Sequence, residues 1–203
     1  ERAADLTRTV CRNLRAALED LAAEGYEIRP ILVSRSDSTL RGHYPVETDV
    51  IAAELGPFDA HFLVPAFFEG GRVTIDSTHY LMVEGRRVPV HETEFARDSV
   101  FGYSTAYLPD YVAEKTRGRI PAEKVERFVL AEVRGDLRGR LAALTGNTCC
   151  VVDAEHQSDL DGFTAQVLEA VATGKRFLFR SGASLLTALA RLPRQPVAPG
   201  SMV

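Results

Sequence analysis

Cysteine is scarce in this sequence, which contains only Cys11, Cys149 and Cys150 among its 203 residues. An odd number of cysteines without regular spacing excludes a disulfide framework of the kind that holds small secreted domains together. The adjacent pair lies in the apolar segment TCCVVDA, where cysteines usually serve as small core residues, with redox or metal chemistry as the alternative. Unpaired thiols are typical of a reducing compartment, so we predict a cytoplasmic protein.

Long apolar runs and basic runs are also absent from the sequence. No stretch reaches the roughly 18 apolar residues that a membrane-spanning helix requires. Lysine and arginine together number 24, against 28 aspartate and glutamate residues, so the formal net charge is −4. A mildly acidic chain without a basic run is not typical of nucleic-acid-binding proteins. We therefore predict neither a membrane nor a nucleic acid as the partner.

Several motifs of known catalytic and nucleotide sites are missing as well. The sequence contains neither a Walker A motif nor G-x-G-x-x-G, so no nucleotide-phosphate loop is recognisable. It also lacks the G-x-S-x-G motif of a nucleophile elbow. The five histidines do not show the i, i+4 spacing of zinc-binding helices, so we predict no metal site built from residues of this chain.

Segments of helical and strand character alternate along the chain. Residues 4–24 carry apolar side chains at helical spacing and precede a strand-like segment at residues 28–34. A second helix is predicted after Pro45 and a second strand at residues 60–66. Pairs of a strand and a helix follow from residue 148 onwards.

Residues 73–90 interrupt this alternation. Their apolar and polar residues alternate imperfectly around an EG pair, which predicts an antiparallel hairpin. By period alone, residues 125–133 fit either a strand or a helix. Together the segments predict an α/β fold with an open, mostly parallel sheet, helices on both faces and a β-hairpin insertion. We expect one domain over residues 1–192 and a proline-rich tail or linker at residues 193–203.

Three polar loops follow predicted strands, at residues 34–43, 65–72 and 180–184. In open α/β sheets, ligands bind beyond the carboxyl ends of the strands, so these loops form the candidate site. The first loop, SRSDSTLRGH, combines many hydrogen-bonding groups with few bulky ones. This composition predicts a site for an anion that also carries hydroxyl groups.

The charged residues of the first loop favour a ligand of this kind. Arg35 and Arg41 can clamp a carboxylate or a phosphate with paired donors. Asp37 can accept a hydrogen bond from a sugar hydroxyl. Gly42 lets the backbone approach a ligand closely or adopt a positive φ.

The hydroxyl groups of the first loop allow two interpretations. Ser38 and Thr39 can bind ligand hydroxyls or an anion. Alternatively, residues 36–38 only cap the following helix, and the arginines are solvated. We favour the binding site, because a helix cap requires one such residue and the loop contains several.

The other two loops are weaker candidates. Arg180 ends a predicted strand, and Ser184 lies near the start of the following helix, where backbone N–H groups favour an anion. By itself, however, this segment is more typical of an ordinary connection with a serine cap. Glu69 and Arg72 flank a Gly-Gly turn, which fits a site or the entry to the hairpin equally well.

Four segments resemble, in the same order, motifs of the four-carbon acid sugar kinase family. SRSDSTLRGH is similar to its Lys-Lys-x-Asp-Ser-Thr-x-Arg-Gly signature, and VPAFFEGGRVTIDSTHYLM is similar to its Pro-Ala-Phe-x-x-x-Gly-Arg segment and hairpin. ETEFARDSV resembles its Thr-Glu-x-Ala-x-Asp segment, and FRSGASLLTALA resembles its Arg-Thr-Ala-Ala-Ser segment. The matches extend from about residue 28 to residue 192. The sequence differs in having Ser34-Arg35 for the lysine pair and Ser181-Gly182 for Thr-Ala.

The resemblance implies a two-domain, ATP-dependent kinase that acts on threonate, erythronate, 3-oxo-tetronate or a similar acid. Residues 1–192 correspond to most of the acid-sugar-binding N-terminal domain. Two parts of the family's proteins do not occur in this sequence. One is the first strand with its Asp-Asp-x-Thr-Gly motif, and the other is the C-terminal domain, which provides most of the contacts to ATP and Mg²⁺. We therefore expect the isolated chain to bind sugar acids weakly and to be inactive. The alternative is a non-catalytic sugar-acid-binding module. The sequence does not determine the oligomeric state, and a homodimer is one candidate.

The resemblance also assigns residues to the site by position. The first-rank contacts to the sugar acid are Arg35, Asp37, Ser38, Thr39, Arg41 and Gly42, and the second-rank contacts are Arg72, Arg180 and Ser184. Arg35 or Arg41 would hold the carboxylate. Asp37 would orient a hydroxyl and is the candidate catalytic base in this chain, although the aspartates of the family's N-terminal motif are stronger candidates. An arginine in place of lysine exchanges a point charge for a planar fork, which can alter the preferred acid.

Overall fold

A five-stranded parallel sheet lies at the centre of a computed structural model that describes residues 1–193. The eight strands within these residues are β1 (Leu32–Arg35), β2 (Ala60–Val64), β3 (Arg72–Ile75), β4 (Thr78–Val83), β5 (Arg86–Pro89), β6 (Glu126–Phe128), β7 (Thr148–Val152) and β8 (Phe177–Ser181). The parallel sheet has the order β1-β8-β2-β7-β6. Its strands are rich in branched and aromatic residues, which suits strands covered on both faces.

The helices surround this sheet. They are α1 (Arg2–Ala23), α2 (Val46–Leu55), α3 (Leu108–Lys115), α4 (Leu130–Val133), α5 (Arg138–Ala143), α6 (Gln157–Ala172) and α7 (Ala183–Leu189). The predicted α/β class, the mostly parallel sheet and the flanking helices are therefore confirmed. None of the described helices is both long and apolar enough to cross a membrane. Of the predicted tail at residues 193–203, only residue 193 lies within the described residues.

The hairpin insertion is also confirmed, and a third strand extends it. Strands β3, β4 and β5 form a small antiparallel sheet in that order. Asp76 and Ser77 connect the first two strands with φ values of 49° and 60°, and Glu84 and Gly85 connect the last two with 48° and 78°. Two successive positive φ values give the backbone twist that matches a tight antiparallel pair.

Each face of the parallel sheet has its own core. On one face, Phe62 of β2 packs against Phe163 of α6 and stacks on Phe179 of β8 with ring centroids 5.4 Å apart. On the other face, Leu63 and Val151 pack with residues of α3 and of the long connections. All three cysteines are free and buried, and the burial of Cys149 and Cys150 agrees with the prediction of this pair as small core residues. The second core lies directly beneath the polar loop that follows β1.

Two segments differ in detail from their predictions. Strand β1 begins at Leu32 rather than near residue 28, because Pro30 has no N–H group for a sheet hydrogen bond. The ambiguous segment 125–133 contains both elements, since β6 ends at Phe128 and α4 begins at Leu130. In so short a segment, the period of the apolar residues does not distinguish a three-residue strand from a four-residue helix.

Candidate functional site

A cleft of about 340 Å³ lies at the carboxyl end of β1, where the edge strand meets β8. The loop at residues 36–42, which we call the binding loop, forms one wall. The Ser36 N–H donates a 2.8 Å hydrogen bond to the Ser181 carbonyl and so fixes the start of this loop to β8. The lining residues are Arg35, Ser36, Asp37, Arg41, Gly42, His43, Glu47, Asp98, Phe101 and Arg180.

Asp37 organises the polar groups of the binding loop. Its carboxylate accepts a 2.7 Å hydrogen bond from Arg41 Nε and a short one from the Thr39 hydroxyl. Burial by itself raises the pKa of Asp37, but the hydrogen bonds from Thr39 and Arg41 and the charge of Arg41 outweigh it, so the pKa lies below its usual value. Asp37 is therefore ionised at neutral pH and is a weak proton acceptor.

Arg41 is held from three sides. Beyond its bond to Asp37, its Nη1 lies 3.7 Å from Asp98, and its guanidinium carbon lies 5.0 Å from the centre of the Phe95 ring. The Asp98 carboxylate accepts 2.9 Å bonds from the N–H groups of residues 100 and 101, which fixes this turn and lowers the pKa of Asp98. These contacts restrict the guanidinium while its charge still faces the cleft.

Arg180 reaches the cleft from the neighbouring strand. The sheet register places Arg180 beside Ser34, and its Nη1 donates a 2.7 Å hydrogen bond to the Ser34 hydroxyl. The same nitrogen forms an ion pair with Glu47 in the first turn of α2. Only 6% of Arg180 is exposed, so this pair balances a nearly buried charge at the base of the site.

Gly42 carries the chain closely past Arg180. Its φ is 125°, and a Cβ atom built there would lie 2.7 Å from Arg180 Nη2. We expect Gly42→Ala to lower the free energy of unfolding by about 1–2 kcal/mol, partly through backbone strain and partly through the displacement of Arg180. Chemical denaturation measures the loss. Gly85→Ala is the matched control, because Gly85 also has a positive φ but no atom within 4 Å of its Cβ position. An equal loss in both variants would contradict the contact with Arg180.

The remaining predicted site residues do not line this cleft. Ser38 and Thr39 are buried, and Thr39 acts on the cleft through Asp37. The Ser184 hydroxyl accepts a 3.1 Å bond from the Phe68 N–H, which ties α7 to the loop after β2. Arg72 donates a 2.6 Å bond to the Gly70 carbonyl, and its guanidinium carbon lies 5.9 Å from the Phe95 ring centre.

Five cleft residues were not predicted as site residues from the sequence. They are Ser36, His43, Glu47, Asp98 and Phe101. Asp98 lies in the ETEFARDSV segment, whose resemblance to a family motif could have indicated it. His43 is the last residue of the SRSDSTLRGH loop. No sequence pattern relates Glu47 and Phe101 to the cleft. They line it because the tertiary fold brings α2 and the turn at residues 98–101 next to the binding loop. Within residues 1–193, no three histidine, cysteine, aspartate or glutamate side chains converge to hold a metal ion.

The chain is similar to proteins of one family. A family model described as a sugar-binding N-terminal domain matches residues 2–189. A D-erythronate kinase of Heliobacterium modesticaldum is 33% identical over 134 residues. This match covers 64% of the present chain and 29% of the kinase, so the chain spans less than a third of that relative.

Solved structures have the same fold. A Bordetella bronchiseptica protein, described as a domain of unknown function with bound citrate in a domain-swapped dimer, is 25% identical with a TM-score of 0.64. The match covers 92% of this chain and 40% of that protein. A Haemophilus influenzae protein, 22% identical with a TM-score of 0.59, matches over 81% of this chain and 38% of its own. The second similarity concerns the fold alone.

Proposed function

Because this chain belongs to the family of sugar-binding N-terminal domains, we propose that it binds the substrate of an ATP-dependent kinase that phosphorylates a four-carbon sugar acid. The observation that carries this proposal is the cleft beside the binding loop, where arginines and a hydrogen-bonded carboxylate converge. A short polyhydroxy acid presents a carboxylate and several hydroxyls, which match these two kinds of group. The 33% identity to a D-erythronate kinase supports the substrate class.

The charges of the cleft favour one further arginine, beside Arg41, as a contact to the carboxylate. Three arginines and three carboxylates line the cleft, namely Arg35, Arg41 and Arg180 with Asp37, Glu47 and Asp98. Arg41 and Arg180 form ion pairs with these carboxylates, whereas Arg35 forms no ion pair within residues 1–193. We propose that Arg35 binds the substrate carboxylate together with the part of the Arg41 guanidinium that faces the cleft. The citrate bound to the Bordetella protein supports recognition of a hydroxy acid in this family.

The proposed residues position the acceptor hydroxyl. Asp37, kept ionised by Arg41 and Thr39, orients this hydroxyl by accepting its hydrogen bond. Its lowered pKa makes it a poor base, so we expect the proton acceptor to lie in another part of the protein. ATP with Mg²⁺ supplies the phosphoryl group when bound, mainly by a second domain. Positioning and charge stabilisation contribute most to phosphoryl transfer, and the cleft provides the positioning.

A substrate panel tests the proposed function. ADP release by the full-length protein is measured with ATP and with erythronate, threonate, 3-oxo-tetronate or the three-carbon acid glycerate. We expect turnover with at least one four-carbon acid and a much lower kcat/KM with glycerate. Binding of a four-carbon acid by calorimetry without ADP release would instead indicate a non-catalytic binding module. Neither binding nor turnover with any acid would contradict the proposal.

Arg35→Ala tests the carboxylate contact. We expect about a fivefold loss of sugar-acid affinity, because Arg35 is exposed and water competes for its hydrogen bonds. Arg35→Lys retains the charge without the planar fork and is expected to recover part of the affinity. Isothermal titration calorimetry measures both. Equal affinities of Arg35→Ala and the wild type would remove Arg35 from the site.

We also propose a cytoplasmic setting and a homodimer. The unpaired buried thiols are compatible with a reducing compartment. The dimer is proposed only because the Bordetella structure is described as a domain-swapped dimer. Sedimentation of the full-length protein distinguishes a dimer from a monomer.

A further inference from the structure

Three consecutive carbonyl groups of the binding loop are each held by a buried ring. The carbonyl oxygens of residues 38, 39 and 40 accept hydrogen bonds of 2.8 Å from His79 Nε2, 2.7 Å from the Tyr103 hydroxyl and 2.7 Å from the Tyr111 hydroxyl. The rings come from β4, from the connection before α3 and from α3 itself. Three separate elements of the fold therefore converge on three successive peptide groups.

The binding loop depends on these side chains because its backbone has little other support. Within the described part of the chain, residues 37–42 form no hydrogen bond between backbone groups. Leu40 has a φ of 65°, which is uncommon for a leucine. The loop shape is therefore set by side chains that lie far away in the sequence.

The three rings are suited to act as permanent donors. Burial lowers the pKa of His79 to about 4, so its ring is neutral at pH 7. Its Nδ1 lies 2.9 Å from the Thr74 hydroxyl, which can donate to it, and Nε2 then carries the proton that is donated to residue 38. Burial raises the pKa of Tyr103 and of Tyr111, so both hydroxyls keep their protons.

Holding the carbonyl groups also directs the opposite side of the peptides. In a trans peptide, the N–H group points away from the preceding carbonyl. The N–H groups of Leu40 and Arg41 thus point away from the rings, and neither donates to an acceptor among residues 1–193. Successive N–H groups next to a residue with positive φ form an anion-binding concavity.

We propose that His79, Tyr103 and Tyr111 are positioning residues, which fix the binding loop so that the Leu40 and Arg41 N–H groups and the Arg41 guanidinium receive the carboxylate of the sugar acid beside Arg35. This inference rests on the proposed function. None of the three rings lines the open cleft, so their effect on the ligand is transmitted through the loop. They contribute to affinity by reducing the ordering that the loop would otherwise undergo on binding.

Removal of single hydroxyls from the full-length protein tests this inference. We expect Tyr103→Phe and Tyr111→Phe each to raise the KM for the sugar acid by roughly tenfold, with the KM for ATP unchanged, since each variant frees one loop carbonyl. Tyr44→Phe is the matched control, because the Tyr44 hydroxyl is buried in the same core but lies near His61 and Cys149 instead of the loop. We expect the control to lose stability without a change in KM.

Hydrogen exchange provides a readout that requires no ligand. Peptides covering the binding loop are expected to exchange faster in Tyr103→Phe and Tyr111→Phe than in the wild type and in Tyr44→Phe. If one variant does not fold, the other decides the outcome, because each tyrosine holds a different carbonyl. Unchanged loop exchange and an unchanged sugar-acid KM would overturn the inference, as would an equal rise of KM in Tyr44→Phe. A wild type without activity on any sugar acid would instead refute the proposed function.

Discussion

Replacing Arg41 by alanine is expected to lower the affinity of the full-length protein for the proposed sugar acid by about 10- to 150-fold. A charge-assisted hydrogen bond contributes about 1.5–3 kcal/mol, which corresponds to this range. The substitution also leaves Asp37 and Asp98 without their shared cation. The cleft would then carry three carboxylates and only two arginines, which repels an anionic ligand.

Two further variants separate charge, geometry and stability. Arg41→Lys keeps the charge but cannot contact Asp37, Asp98 and a ligand carboxylate at once, so we expect it to recover only part of the affinity. Arg138→Ala is the control, because Arg138 is an exposed arginine that pairs with Asp136 outside the cleft. Calorimetry and thermal melting are measured for each variant. Wild-type affinity of a folded Arg41→Ala variant would exclude Arg41 from the site.

The sequence motif predicts the loop but not the groups that hold it. Arg35, Asp37, Arg41 and Gly42 line one cleft because nine consecutive residues contain them all. The cleft partner Asp98 and the donor Tyr111 lie more than fifty residues away, and no local period or propensity relates them to the loop. Local pattern therefore indicates which groups take part, and the tertiary fold determines which of them reach the ligand.

Strand order explains why Arg180 lies at the cleft and Ser184 does not. The alternation of helices and strands predicts a parallel sheet, but it does not predict that β8 is inserted between β1 and β2. This order places Arg180 beside Ser34, although 146 residues separate them. Ser184 lies one turn further on, where the helix α7 packs it beneath the loop after β2. A chain position near a predicted strand end is thus insufficient to place a side chain in the site.

A buried carboxyl group at the end of β7 is expected to make the protein less stable as the pH rises from about 4 to about 6. Asp153 has no exposed surface, and its Oδ1 accepts a 2.8 Å bond from the Ser77 N–H in the turn between β3 and β4. Its Oδ2 has no hydrogen-bond partner within residues 1–193. Burial, together with the charge of Asp76, raises the pKa of Asp153 to about 6, although backbone N–H groups oppose this shift.

The direction of the pH effect follows from the two pKa values of Asp153. In the unfolded chain the carboxyl loses its proton near pH 3.8, whereas in the folded protein it keeps the proton up to about pH 6. Folding is therefore favoured by the bound proton below pH 4, and this contribution is lost as the pH rises through 6. The full loss is on the order of 3 kcal/mol. His79 acts in the opposite direction, because its lowered pKa removes stability as the pH falls from 6.5 towards 4.

Asp153→Asn isolates the contribution of the carboxyl group from that of His79. The asparagine oxygen can still accept the Ser77 N–H, but the side chain cannot ionise. We expect the variant to gain stability relative to the wild type as the pH rises from 4.5 to 7, measured by urea denaturation at each pH. His79 is present in both proteins, so its effect cancels in the difference. A difference between the two proteins that does not change with pH would show that Asp153 has an ordinary pKa in the folded state, and the turn at Ser77 would then be held by a carboxylate that is fully stabilised by its N–H donors.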